Sequence, residues 1–247
     1  MAGTFVAAKD AADVELIDSS GQTKAFNRVY FGKSAGSAGN GPQSFMVEHP
    51  KGRVGAAHFH DVDQYQVFFP SAGATYKKAP IDSPIFHYTD AYTVYGPYAA
   101  GDDEPLLSLT LRARHSQVTA FIPAERDKLP RPSAGRRHVT TALGPPRQMA
   151  SGESDLRVLI EPDDDGLAAY LLEAGPATLV AVPPCTRSGG QYCCVLDGSV
   201  VDNGRAHESQ AVRWDDPGQT MQALASGDSG MRVLVMRFAH PATSDHR

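Results

Sequence analysis

Between Gly55 and Phe69 the chain reads GAAHFHDVDQYQVFF, which sets His58 and His60 one residue apart. In a strand successive side chains point to opposite faces, so these two imidazoles are neighbours on one face. Neutral imidazole is a common ligand for Zn, Fe, Ni and Cu, and a pair placed this way is either a metal clamp or an accident of packing. Two donors are too few for a mononuclear site. His87, in the segment SPIFHYTD, follows His60 by 27 residues. If DQYQVFF and ATYKK form a hairpin and the next strand returns beside His58, His87 completes a facial set. Gln64, four residues after His60, offers a carbonyl oxygen as a fourth donor.

Other polar residues are candidates for the same pocket. Asp90 and Tyr92, in YTDAYTVYGPY, are read as the catalytic pair, the carboxylate as a base and the phenol holding a substrate oxygen; the competing reading is half-buried packing of alternate tyrosines. Arg112 and Arg114 alternate toward one face, where an inward guanidinium could bind a carboxylate, although solvent exposure is the plainer expectation. His49 could point into the first barrel from a neighbouring strand, but an edge position just before Pro50 is the plainer reading, and Trp214 reads as core.

The elements that must position these residues are strands. Short runs rich in Val, Phe, Tyr, Thr and Leu recur at close spacing, each closed by Gly, Pro, Asp or Ser: FNRVYFG, QSFMVEH, DQYQVFF, SPIFHYT, LLSLTLRAR. That is the pattern of an all-β barrel or sandwich. The one helical pattern, KDAADVELI near the start, is short. From His115 to about Ser154 prolines and charges dominate, which predicts a connection, with a strand around VTAFIP. A second β series follows, from LRVLIE to MRVLVMRF.

An internal repeat supports two modules. DQYQVFF (63–69) lies over GQYCCVL (190–196) without gaps, and each is followed by a glycine, Gly73 or Gly198. The overlay puts Gln64 on Gln191, His58 on Cys185 and His60 on Arg187, so the second copy keeps the frame and lacks the histidines. The expected boundaries are 1–114 for a first barrel carrying the metal, 115–154 for a linker, and 155–247 for a second, degenerate barrel that serves as scaffold or dimer surface.

Composition narrows the partners. With 247 residues, 23 Lys and Arg, 28 Asp and Glu and a formal charge of −5, the chain lacks the basic footprint of a nucleic-acid binder. The basic cluster Gly135–His138 reads as a solvated loop. No apolar run approaches the length of a membrane span, and the N-terminal stretch has no signal-peptide pattern, so the reading is cytoplasmic. The three cysteines, Cys185, Cys193 and Cys194, make a poor disulfide framework and read as small buried hydrophobes.

The residues around His58 resemble the cupin superfamily. Its first motif has a glycine, two histidines one apart, a glutamate a few residues on and another glycine, matched here by Gly52 or Gly55, His58, His60, Gln64 and Gly73. His87 stands for the histidine of the second motif, with Pro84 near the place of that motif's glycine. The match is close from Gly52 to Tyr95 and departs from the pattern in having Gln64 for the glutamate. The resemblance implies an all-β bicupin, two tandem double-stranded β-helix barrels, with one divalent metal on His58, His60, His87 and Gln64. Fe(II) is the favoured ion, with Zn, Mn, Ni or Cu as alternatives. It further implies a non-haem dioxygenase acting on a small enolate, phenolate or carboxylate, and a homodimer. The alternatives are an isomerase or lyase that uses no O2, which suits a three-His-plus-Gln set, and a barrel that binds a small ligand without turnover.

Overall fold

A computed structural model describes residues 3–17, 21, 23–130, 136–185, 187–219 and 223–240. Strands and short 3-10 turns make up its regular structure, and the chain divides into two compact units, Ala11–Pro145 and Met1–Asp10 with Pro146–Arg247. Among the described residues no helix is long and apolar enough to cross a membrane. The short helical pattern near the start is instead a 3-10 turn at Ala8–Asp10 followed by the strand Ala12–Ile17. Val14 and Leu16 fall on one face there, and pairing with Thr23–Phe31 outweighs the weak local helical preference.

In the unit Ala11–Pro145 the main sheet runs, in spatial order, His138–Ala142, Ile85–Thr89, Gln64–Phe68, Leu106–Arg112, Gln43–His49, Thr23–Phe31, Ala12–Ile17. A four-stranded sheet (Val54–Gly55, Tyr98–Ala99, Thr75–Tyr76, Ala79–Pro80) and the pair His58–His60 with Thr119–Phe121 complete it. The stretch read as a linker thus supplies two strands to this unit. Thr119–Phe121 pairs with the histidine strand and His138–Ala142 pairs with Ile85–Thr89. Thr119–Phe121 lies where VTAFIP predicts a strand; His138–Ala142 lies between prolines and is only alternately buried, so its local sequence resembles a loop while its backbone bonds are made to a distant strand. Of the basic cluster, Gly135 lies outside the described residues; Arg136 donates to the carbonyl of Tyr92 (2.6 Å), and Arg137 pairs with Asp90.

The second unit repeats the same sheet. Its order is Phe5–Val6, Val212–Asp215, Gln191–Asp202, Ala223–Arg237, Ala168–Ala174, Ser154–Ile160. Phe5–Val6 holds the edge place that His138–Ala142 has in the first unit. Register equates the residues one by one. Gln64 lies across from Thr89 as Gln191 lies across from Asp215, and Gln66 across from His87 as Cys193 lies across from Arg213. Phe45 pairs with Thr110, two residues before Arg112, as Tyr170 pairs with Val235, two residues before Arg237.

That register explains why one barrel is hollow and the other is packed. Where the first has His49, Ser108, Thr110 and Gln66, the second has Ala174, Val233, Val235 and Cys193, all in one apolar cluster with Tyr170, Leu172 and Val195. Cys193 is fully buried in that cluster, Cys194 is fully buried on the other face of its strand, Cys185 is half-buried, and Trp214 is buried.

Candidate functional site

Directly paired residues of neighbouring strands share a face. Gln66 faces Thr110 on one side and His87 on the other, and Thr140 lies beyond His87. The inner face of the first barrel therefore carries a polar row where an ordinary sheet interior would be aliphatic. The opposite face of the same strand is the packed one, with Tyr65 against Phe86 and Tyr88 at 5.7 and 4.7 Å between ring centroids.

His58 and His60 sit on the same side of their three-residue strand, as the alternation requires. Their rings are 5.2 Å apart and nearly perpendicular. The Nδ1 of His58 donates to the carbonyl of Ala56 and that of His60 to the carbonyl of Val118, each at 2.8 Å. That leaves Nε2 of each ring as the unprotonated nitrogen, since a neutral imidazole carries one N–H. His87, fully buried, has its Nδ1 2.9 Å from the hydroxyl of Thr140.

Burial is the main cause of the low basicity of these rings. It brings His58 to about 4, opposed by the bond to Ala56, and takes His60 and His87 well below the usual histidine value. Arg112 beside His58 and His60 and His138 beside His87 push in the same direction. All are neutral near pH 7.

Each of the three rings packs against Tyr95. Tyr95 lies 4.4 Å from His58, 6.1 Å from His60 and 5.3 Å from His87, centroid to centroid, and its hydroxyl is 3.4 Å from Nε2 of Gln66. Among the described residues no group of three or more His, Cys, Asp or Glu is placed to hold a metal ion. Gln64 is committed elsewhere, since its Oε1 accepts from Nε and Nη2 of Arg112 at 3.1 and 2.9 Å. A carbonyl oxygen facing a guanidinium is a poor metal donor, because the fixed positive charge opposes a second cation. Among the described residues the four donors expected from the sequence therefore do not form a set that fits one metal ion.

The proposed catalytic pair also lies elsewhere. Asp90 accepts from the hydroxyl of Tyr88 (2.6 Å) and from the backbone and side chain of Arg137. Tyr92 has a positive φ of 59°, donates its N–H to the carbonyl of His60 and packs on Phe59. Both serve the turn after strand Ile85–Thr89, and neither lines the cavity.

The inner face opens into a cavity of about 770 Å³. His58, His60, Gln66, Tyr95 and Arg112 line its inner part, and Ile17, Lys24, Val54 and Phe121, all solvent-exposed, form its mouth. Three further wall residues come from strand alternation that the sequence reading left unused. His49 is not an edge residue; it follows Gln43, Phe45 and Val47 inward, and its Nε2 is 2.9 Å from the hydroxyl of Ser108. Burial, with Arg53 and His58 nearby, holds it at about 3. Asn27 and Gln66 also face in, both buried. Arg112, expected in solvent, is 3% exposed, stacks over Phe45 at 5.7 Å and donates to Gln43 as well as Gln64. Arg114 donates to the carbonyl of Asp61. Among the described residues lining the cavity the charged ones are Lys24, Arg53 and Arg112, and none is Asp or Glu.

No protein-family model matches the chain. No curated protein matches it either. Solved structures do. A protein of Nostoc punctiforme described as a "putative dioxygenase" is 12% identical with a TM-score of 0.64, over 99% of this chain and 85% of that one. The bacterial pirin YhhW of Escherichia coli, in complex with nickel(II), is 12% identical with a TM-score of 0.58, over 96% and 99%. A mutant of Bacillus subtilis oxalate decarboxylase is 12% identical with a TM-score of 0.54, over 98% and 78%. At such identity the likeness is one of architecture, and with the repeated sheet described above it gives this chain the all-β cupin fold in tandem barrels.

Proposed function

We propose that the first barrel takes a small organic anion, a carboxylate or enolate, into its cavity and acts on it there, with the second barrel as scaffold. The observation that carries this is the sign of the lining: three cations, three neutral histidines at the wall, and no carboxylate among the described lining residues. A low-dielectric wall with charges of one sign concentrates counter-ions. Arg112 is held in place by Gln64 and Gln43, so it meets an anion without first losing side-chain freedom. Without an anion, burial holds His49 and His58 at about 3 and about 4; a negative charge beside them favours imidazolium and raises both, which turns weak bases into useful ones when substrate is bound.

The test is a thermal-shift and calorimetric screen of small carboxylates against the wild-type chain and Arg112→Gln. Saturable binding lost in the variant supports the reading. Absence of any anion binding to the wild-type chain refutes it.

A second reading, a metal-dependent cupin enzyme, is favoured by one observation: His58 and His60 have Nδ1 hydrogen-bonded to backbone carbonyls, the pattern by which protein ligands present Nε2 to a metal, whereas Nε2 of His87 lies 3.3 Å from the hydroxyl of Tyr76. The nickel bound by the pirin neighbour points the same way. Within that reading Fe(II) dioxygenase chemistry and O2-independent isomerase or lyase chemistry fit equally. Metal content by inductively coupled plasma mass spectrometry, beside a His58→Ala/His60→Ala variant, decides it: stoichiometric metal lost in the variant supports this reading, and none after anaerobic reconstitution ends it.

A further inference from the structure

We infer that the anion taken by the first barrel is a polyhydroxylated carboxylate, recognised through its hydroxyl groups by Asn27 and Gln66. The inference rests on the anion reading above and adds to it the chemical class.

Asn27 is 1% exposed and lines the cavity, yet neither its Nδ2 nor its Oδ1 has a hydrogen-bond partner among the described residues. Gln66, 5% exposed, has Nε2 near the hydroxyls of Tyr95 (3.4 Å) and Thr110 (3.5 Å) and leaves Oε1 without a partner. Turning the Gln66 amide over exchanges its ends and still leaves one of them unpaired; Asn27 is unpaired at both ends in either orientation. Buried amides without partners cost roughly 1–3 kcal/mol each, and both residues belong to the cavity wall, where a ligand can supply the missing partners.

The identity of the unpaired atoms selects the ligand. An amide nitrogen is satisfied by any oxygen, a carboxylate included. An amide oxygen needs a donor, and a bare carboxylate has none. A hydroxyl both donates and accepts, so neighbouring hydroxyls satisfy both ends of Asn27 while the carboxylate of the same molecule answers Lys24, Arg53 or Arg112.

Matched ligands separate the contributions. Isothermal titration compares gluconate with hexanoate, and quinate with cyclohexanecarboxylate, pairs that share a carbon skeleton and differ in hydroxyls; glucose and inositol carry hydroxyls without charge. The hydroxylated acid of each pair is expected to bind about tenfold to a hundredfold more tightly than its deoxygenated partner, since a site built for hydroxyls rejects the analogue that lacks them. Asn27→Leu, nearly isosteric, is expected to remove that preference while leaving the melting temperature of the ligand-free protein unchanged or higher, which a merely structural asparagine would not do. Gln66→Leu asks the same question at the second amide should Asn27→Leu fail to fold. Equal affinity for the two members of each pair overturns the inference and leaves the anion reading standing. Binding of glucose or inositol with no binding of any acid overturns both, as does no binding at all.

Discussion

Arg112 donates two hydrogen bonds to the side-chain oxygen of Gln64, and in the second barrel Arg237 donates to the side-chain oxygen of Gln191 from the same register position at 2.7 Å. Each arginine also stacks over the aromatic ring two residues along the neighbouring strand, Phe45 at 5.7 Å and Tyr170 at 5.5 Å. The pair therefore belongs to the fold and not to a metal site. Hydrogen bonds to a buried charge are worth roughly 1.5–3 kcal/mol, so Gln64→Ala and Gln191→Ala should each lower stability in urea by about 2 kcal/mol. A Gln64 acting as metal ligand would instead lose metal with little change in stability, an outcome that metal analysis of the same variant would expose.

Acid should destabilise the chain well above the carboxylate range. His49 and His58 titrate at about 3 and about 4 when folded and near 6.5 when unfolded, and burial lowers His60 and His87 as well. Between those values the unfolded chain binds protons that the folded chain refuses. The stabilising effect is fully present above pH 6.5 and is lost as pH falls toward the folded values. Each such histidine adds about 1.4 kcal/mol per pH unit to the slope. Urea midpoints from pH 7.5 down to pH 5 should fall steeply, and His49→Gln should flatten the curve; a flat wild-type profile would contradict the neutral buried rings.

Tyr95 is expected to control whether the three histidines can meet. Its ring packs against all three, at 4.4, 6.1 and 5.3 Å between centroids. Tyr95→Ala should cost roughly 3–5 kcal/mol through the cavity it opens. If Tyr95 is the barrier, Tyr95→Ala gains affinity for nickel or zinc relative to the wild-type chain, measured by titration calorimetry. Unchanged metal affinity in a folded Tyr95→Ala would show that the ring is not what separates them.

Chelation should leave ligand binding alone if the anion is held by the cationic wall. After exhaustive treatment with EDTA the dissociation constant for the anion should stay within about twofold, a change below roughly 0.5 kcal/mol. A loss of binding that returns on adding one divalent ion would transfer the site to the metal-dependent reading.

The cysteines should differ sharply in reactivity. Burial pushes the Cys194 thiol up to about 12 and holds Cys193 well above the usual thiol range, with Cys194 and Asp215 near it adding to the effect. Neither forms thiolate at pH 8. Ellman's reagent should titrate the half-buried Cys185 in the native protein and all three thiols in guanidinium.

The strand character of the chain, the placement of His58 and His60 on one face, and the repeat that equates Gln64 with Gln191 are legible in the residues alone. These are local properties: alternation fixes which side chains share a face, and glycine and proline punctuation fixes where strands end. What those faces meet depends on strands brought together from distant parts of the chain. His138–Ala142 became a barrel strand because its hydrogen-bonding partners lie 49 or more residues away, beyond the reach of any local pattern, whereas Thr119–Phe121 is the strand expected at VTAFIP and only its partner, 59 or more residues away, was hidden. The same distance in sequence hid the inward turn of His49, Asn27 and Arg112 and gave Asp90 to Arg137. It also put Tyr95 against the three histidines and Arg112 onto Gln64. A motif states which donors are available, whereas convergence on one point depends on side chains contributed by strands far apart in the chain.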